Sequence, residues 1–187
     1  MTPCYVSGKG MYATVATWDF KTHVMELLNR HELGFDTRYA YYRQQFPQMR
    51  DSNLARMICD PMEYYDKQWP AYRETHAGRA DEWVLATEFM LALDLEFQAQ
   101  AQCAIFCYDE AGFGSGVNNM RMLVQNKPVL GFYHRALESV RRNISNFLQL
   151  RITHPHLVTL VEYETIADLE QPLLAWFESI QPQLNQR

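Results

Sequence analysis

The chain has 187 residues and a mass of 22.0 kDa, the size of one ordinary domain. Its 48% hydrophobic, 13% aromatic and 21% charged residues exclude a disordered or collagen-like chain. Seventeen basic against 22 acidic side chains leave a formal charge of -5, the wrong sign for a partner of bulk nucleic acid.

The first apolar run, Pro3 to Ser7, stops at Gly8-Lys9-Gly10, and an amphipathic stretch follows from about Ala16 to His31 with Trp18, Val24, Leu27 and Leu28. This reads as strand, glycine loop and helix. Gly34 ends the helix, and Phe35 to Tyr39 is the expected second strand. From Tyr41 to Gly78 a polar, aromatic-rich segment holds Tyr41, Tyr42, Tyr64, Tyr65, Trp69 and Tyr72. Pro47, Pro61 and Pro70 divide it into expected short helices, with packing, subunit contact, a lid and base stacking as open roles.

Ala80 to Gln100 lacks proline and glycine and predicts one long helix with Trp83, Phe89, Met90, Leu93 and Phe97 on its apolar face. Cys103 to Cys107 reads as a strand buried on both sides. Gly112-Phe113-Gly114-Ser115-Gly116 reads as a loop, and a helix then runs from near Ser115 to about Gln125. Further strands are expected at Pro128 to Phe132 and Leu157 to Tyr163, and helices at Ala136 to Leu150 and Ile166 to Ile180. Cys4, Cys59, Cys103 and Cys107 lack the paired spacing of a zinc knuckle or disulfide framework. His154-Pro155-His156 reads as a turn, so no metal and no cofactor is expected. An uncharged apolar run near the roughly 18 residues of a spanning helix is missing, as is a signal-peptide core. The expectation is a cytoplasmic protein with no membrane partner.

Strands alternating with helices predict an α/β fold, a flavodoxin-like five-stranded parallel sheet of order 2-1-3-4-5 with helices on both faces. In that order ligands bind at the carboxyl ends of strands 1 and 3. Gly8-Lys9-Gly10 and Gly112 to Gly116 would then face one crevice, and the next helix would offer free N–H groups to an anion. The second loop lacks the Lys-Ser/Thr step of a P-loop and follows the third strand rather than the first, which argues against ATP hydrolysis and NAD binding.

Asp94-Leu95-Glu96-Phe97, Gly114-Ser115-Gly116-Val117-Asn118 and Asn126-Lys127-Pro128-Val129-Leu130 resemble the nucleoside 2-deoxyribosyltransferase superfamily, most closely its 2'-deoxynucleoside 5'-monophosphate N-glycosidase branch. The match runs without a gap from Asp94 to Leu130 and extends more loosely to Cys4-Tyr5-Val6-Ser7-Gly8 and to Val161-Glu162-Tyr163. It implies one domain over 1–187 with an insertion at about 41–78, and a homodimer or higher oligomer. It also implies that Tyr5 places the nucleophile, that Asp94 handles the proton of the leaving base, and that the residue at Asn118 attacks the sugar carbon. In the family that last residue is glutamate, and an amide is a poor nucleophile.

Gly8, Lys9, Gly10, Gly112, Gly114, Ser115 and Gly116 are the expected ligand-binding residues, with Arg135, Arg141 and Arg142 either near a phosphate or on a solvated helix face. Asp109, Glu110, Glu88 and Glu96 are the acids available to replace the missing carboxylate. Three readings follow. The first is a nucleoside- or nucleotide-binding protein with weak or no glycosidase activity. The second is an active N-glycosidase or deoxyribosyltransferase using another acid or an activated water. The third is a scaffold whose surface is the aromatic segment.

Overall fold

A computed structural model describes residues 1–9, 13–59, 62–136 and 147–185. Five parallel strands form one sheet in the order β2-β1-β3-β4-β5. They are β1 (Thr2–Ser7), β2 (Gly34–Asp36), β3 (Cys103–Cys107), β4 (Val129–His134) and β5 (Val158–Tyr163). The helices are α1 (Val15–Arg30), α2 (Thr37–Gln45), α3 (Asp51–Cys59), α4 (Met62–Thr75), α5 (Glu82–Gln100) and α6 (Phe113–Val124). A helical stretch over 147–153, α7, precedes β5. A 3-10 turn at Ile166–Leu169 then leads into α8 (Glu170–Leu184). No described helix is long and apolar enough to cross a membrane.

Alternation along the strands divides the interior into two layers. Cys4, Val6, Ile105, Leu130 and Phe132 pack with Phe20, Val24, Leu27 and Leu28 of α1 and Trp176 and Phe177 of α8. Tyr5, Ala104, Phe106 and Val129 face the other way, against the aromatic helices α2, α4 and α5 and against α6. This alternation turns Tyr5 toward the crevice side. The four cysteines are buried thiols, and Cys4 and Cys103 sit opposite each other in register with their sulfurs 3.6 Å apart.

The second strand is shorter than the sequence reading, because the chain turns into α2 at Thr37 instead of continuing to Tyr39. Asp36 causes the turn. Its carboxylate accepts from Arg38 N at 2.8 Å, capping α2, and from Val6 N at 2.9 Å, taking the place of a further ladder bond to β1. Pro70 does not divide the middle segment but lies inside α4, which forgoes one backbone donor there. Pro61 and most of the expected helix from Ala136 to Leu150 fall outside the described residues.

The middle segment folds back onto α5 through its aromatics. Tyr42 lies 4.9 Å from Tyr64, Tyr41 lies 5.2 Å from Phe97 and Tyr72 lies 5.0 Å from Phe89, measured between ring centroids. Tyr41 and Tyr64 also share a hydroxyl hydrogen bond of 2.9 Å. On β4, Gly131 leaves room for a neighbouring ring, since a Cβ there would stand 2.0 Å from Tyr108 Cε2. The Tyr108 ring stacks on Phe147 of α7 at 3.8 Å.

Candidate functional site

The carboxyl ends of β1 and β3 border a cavity of about 370 Å³. Tyr5 from β1, Asp94 from α5 and Asn118 from α6 all line it. The Tyr5 hydroxyl donates to Asp94 Oδ1 at 3.3 Å and accepts from Asn118 Nδ2 at 3.2 Å. Arg121, one helical turn beyond Asn118, donates to Asn118 Oδ1 at 3.0 Å, which orients the amide with its NH₂ toward Tyr5. The donors of Arg121, Asn118 and Tyr5 thus run in one direction and end on Asp94.

Burial raises the Asp94 pKa, against the opposing influence of Arg38, the Tyr5 hydrogen bond, Arg121 and Asn118. Burial and the adjacent Asp94 charge push Tyr5 up to about 12, with Arg38 acting in the opposite direction. A carboxyl group with a raised pKa is suited to holding a proton and delivering it to a leaving group. The same shift makes a stability statement. Between its unfolded and folded pKa values the folded state binds more protons, so the contribution of Asp94 to stability falls as pH rises through that window. Asp94→Asn is therefore expected to raise the urea midpoint at neutral pH and to leave it unchanged in acid below the ordinary carboxylate range. A gain equal at both pH values would assign the effect to packing instead.

Gly8, Lys9, Gly112, Gly114 and Ser115 line the cavity as read from the sequence. Gly10 lies outside the described residues. Gly116 does not join this set and instead lines a neighbouring apolar cavity of about 930 Å³ beside Val117, Met120 and Phe147. The reason is local. The segment 112–116 is not a loop before a helix starting near Ser115, because α6 begins at Phe113 with Gly112 as its N-cap. Helical geometry from that point turns successive residues to different sides. The first intrahelical bond shown runs from Gly116 N to Gly112 O at 3.2 Å. The amides of Phe113, Gly114 and Ser115 lie ahead of it, and Gly112 has no side chain with which to cap them.

Of the acids weighed as substitutes, Glu110 alone lines the cavity. Its Oε2 accepts from Thr14 N at 2.9 Å, Thr14 Oγ1 at 2.8 Å and Thr17 Oγ1 at 2.6 Å, and Lys9 Nζ stands 3.5 Å from Oε1. Burial would raise its pKa, but the Thr17 and Thr14 hydrogen bonds and the Lys9 charge prevail and hold it low. This carboxylate ties the start of α1 to the β3–α6 connection. Asp109 accepts from His134 N at 2.7 Å and from the Tyr163 hydroxyl. Glu88 pairs with Arg79, and Glu96 accepts from Gln100 at 3.2 Å. Arg135 pairs with Glu162 and Glu164 on the surface, whereas Arg141 and Arg142 lie outside the described residues.

Two cations of the cavity, Arg38 and Lys21, are not among the site residues expected from the sequence. Arg38 is 7% exposed, pairs with Asp36 at 2.9 Å and lies 5.2 Å from the Tyr5 ring centre. Lys21 is buried and lines the same space. Its signal was present, since the buried positions of α1 are Thr17, Phe20, Lys21, Val24, Leu27 and Leu28, which places a lysine in an apolar stripe. Tyr42, Tyr65, Met90 and Phe97 supply an apolar and aromatic wall. The middle segment therefore contributes to the cavity as well as packing on α5. The chain matches no protein-family model and no curated protein.

Proposed function

We propose that the cavity binds a nucleoside or nucleotide and that the natural protein releases the base slowly or not at all. The observation that carries this reading is the hydrogen-bonded set Asp94, Tyr5 and Asn118 on one wall of a cavity that also offers an aromatic wall and cations. Tyr42, Tyr65 and Phe97 suit the flat face of a base. Lys9 and the amides at the start of α6 suit a polar or anionic substituent on the sugar. Asp94 supports a role in proton transfer to the base, while the amide of Asn118 can hydrogen-bond a sugar hydroxyl or a water but forms no glycosyl ester.

The second reading, an active N-glycosidase or deoxyribosyltransferase, draws support from Glu110, a second carboxylate on the same cavity. Its engagement by Thr14, Thr17 and Lys9 favours the first reading, because a carboxylate so held is a weaker nucleophile and base.

Calorimetric titration with a panel of nucleosides and their 5'-monophosphates tests the proposal. The natural protein is expected to bind at least one member. Tyr65→Ala is expected to weaken that binding by about 1–3 kcal/mol, the usual contribution of a base stacked on an aromatic side chain. Binding of none of the panel, or affinity indifferent to Tyr65, would overturn it.

A further inference from the structure

The cavity contains a nucleophile that the nucleoside reading leaves unused. Lys21 is 1% exposed, and its Nζ donates to Lys9 O at 2.8 Å and to Cys59 O at 3.2 Å. Among the described residues it makes no ion pair. The charged and titratable groups around it are Arg38 from α2, Asp36 from the end of β2, Cys59 from α3 and Cys107 from β3. Asp36 is already engaged by Arg38. Burial, followed by repulsion from Arg38, pushes Lys21 down to about 8. A desolvated lysine beside a second cation is an established way to make an amine nucleophilic. In its neutral form two N–H bonds satisfy the two carbonyls and one lone pair is left over.

The other nucleophilic groups nearby are less suited. Asn118 is an amide, Tyr5 holds its proton to about 12, and burial pushes the Cys59 and Cys107 thiols up. We propose that Lys21 is a carbonyl-reactive amine and that this cavity accepts an aldehyde, such as the open-chain C1 of a reducing sugar, as its imine partner. The neutral nitrogen bonds to the carbonyl carbon as the C=O π pair moves to oxygen. That oxygen gains a proton and the nitrogen loses one, giving a carbinolamine. A proton from Asp94, which lines the same cavity, lets the hydroxyl leave as water. The resulting iminium returns one proton to the Asp94 carboxylate, so aldehyde and amine become imine and water with no redox change. The inference rests on the cavity and on Lys21, and it does not depend on base recognition.

The sequence makes the test simple, because its lysines are Lys9, Lys21, Lys67 and Lys127. The folded protein would be incubated with glycolaldehyde and sodium cyanoborohydride at about pH 8, which fixes any imine as a secondary amine, then digested and mapped by mass spectrometry. Lys21 is expected to be trapped at least about tenfold faster than Lys67, because burial and Arg38 lower its pKa toward the working pH and leave more of it neutral, beside a cavity that can hold the aldehyde. Unfolding in urea is expected to abolish the advantage. Lys127 is the internal comparison. It also donates to two backbone carbonyls, Gln98 O at 2.6 Å and Ala99 O at 3.0 Å, but does not line this cavity, so it should stay unmodified in the folded protein. Trapping at Lys21 no faster than at Lys67, or a preference that survives unfolding, would overturn the inference. Nucleoside titration reads the earlier proposal separately, since a protein that traps the aldehyde without binding nucleosides keeps this inference and removes that one.

Discussion

Replacing Arg38 with methionine is expected to lower folding stability by about 3–5 kcal/mol, the usual cost of removing one member of a buried ion pair. The Asp36 side chain is fully buried, and Arg38 meets it through both Nε at 3.0 Å and Nη2 at 2.9 Å. The guanidinium also donates to Val6 O and, at 3.3 Å, to Ile58 O. One side chain therefore joins β1, β2, α2 and α3. Removing it strands a carboxylate away from water and leaves two carbonyls short of a donor. Urea denaturation of Arg38→Met measures the effect. The double variant Asp36→Asn, Arg38→Met is expected to recover part of the loss, because it no longer buries an unpaired charge. A loss below about 1 kcal/mol in the single variant would contradict the assignment of this pair as a structural anchor. The site depends on the same anchor, since Arg38 lies over the ring of Tyr5.

Asp36 and Arg38 also mark where sequence reasoning ended. The alternation of strands and helices carried the architecture, and the expected order 2-1-3-4-5 is the order of the sheet. The apolar strand Cys103–Cys107 and the long helix Glu82–Gln100 stood out because burial on both faces and the absence of proline and glycine are local properties. Where β2 ends is not local. It depends on Asp36 reaching the Val6 amide of another strand, a contact across 30 positions. The glycine segment misled for a related reason. Glycines signal a turn, but here Gly114 and Gly116 occupy the first turn of α6, and the helical path sends only the former into the crevice.

The meeting of Tyr5, Asp94 and Asn118 was anticipated through the family resemblance and not through periodicity, since an aspartate on a helix has no pattern that marks it as buried. Tyr42 and Tyr65 were visible as aromatics, but their place on the cavity wall depends on how α2 and α4 dock onto α5. Lys21 is legible in principle, as a lysine in the apolar stripe of α1, but helical spacing alone does not say that the buried stripe borders a cavity.

Asn118→Glu is expected to have the larger effect on chemistry. The present amide sits between the Tyr5 hydroxyl and the Arg121 guanidinium, at 3.2 and 3.0 Å. A carboxylate there would accept from Arg121 and, once a protonated Asp94 donates to the Tyr5 oxygen in place of accepting from it, from the Tyr5 hydroxyl, so that the two carboxyl groups face each other across that hydroxyl. One carboxyl group able to protonate a leaving base and a second able to attack or stabilise the sugar carbon is the arrangement glycosidic cleavage uses. Removing an activated nucleophile from an enzyme costs orders of magnitude in rate, so supplying one at this position is expected to raise base release by at least about a hundredfold. Asp94→Ala in the Asn118→Glu background is expected to remove that gain, because the acid would be missing.

Base release, followed by chromatography over a panel of nucleosides and their 5'-monophosphates, tests the central claim most directly. It would compare the natural protein with Asn118→Glu and with Asn118→Glu, Asp94→Ala. The expected result is little or no release by the natural protein, clear release by Asn118→Glu and its loss in the double variant. Rapid release by the natural protein, or no release by a folded Asn118→Glu variant from any member of the panel, would contradict the account.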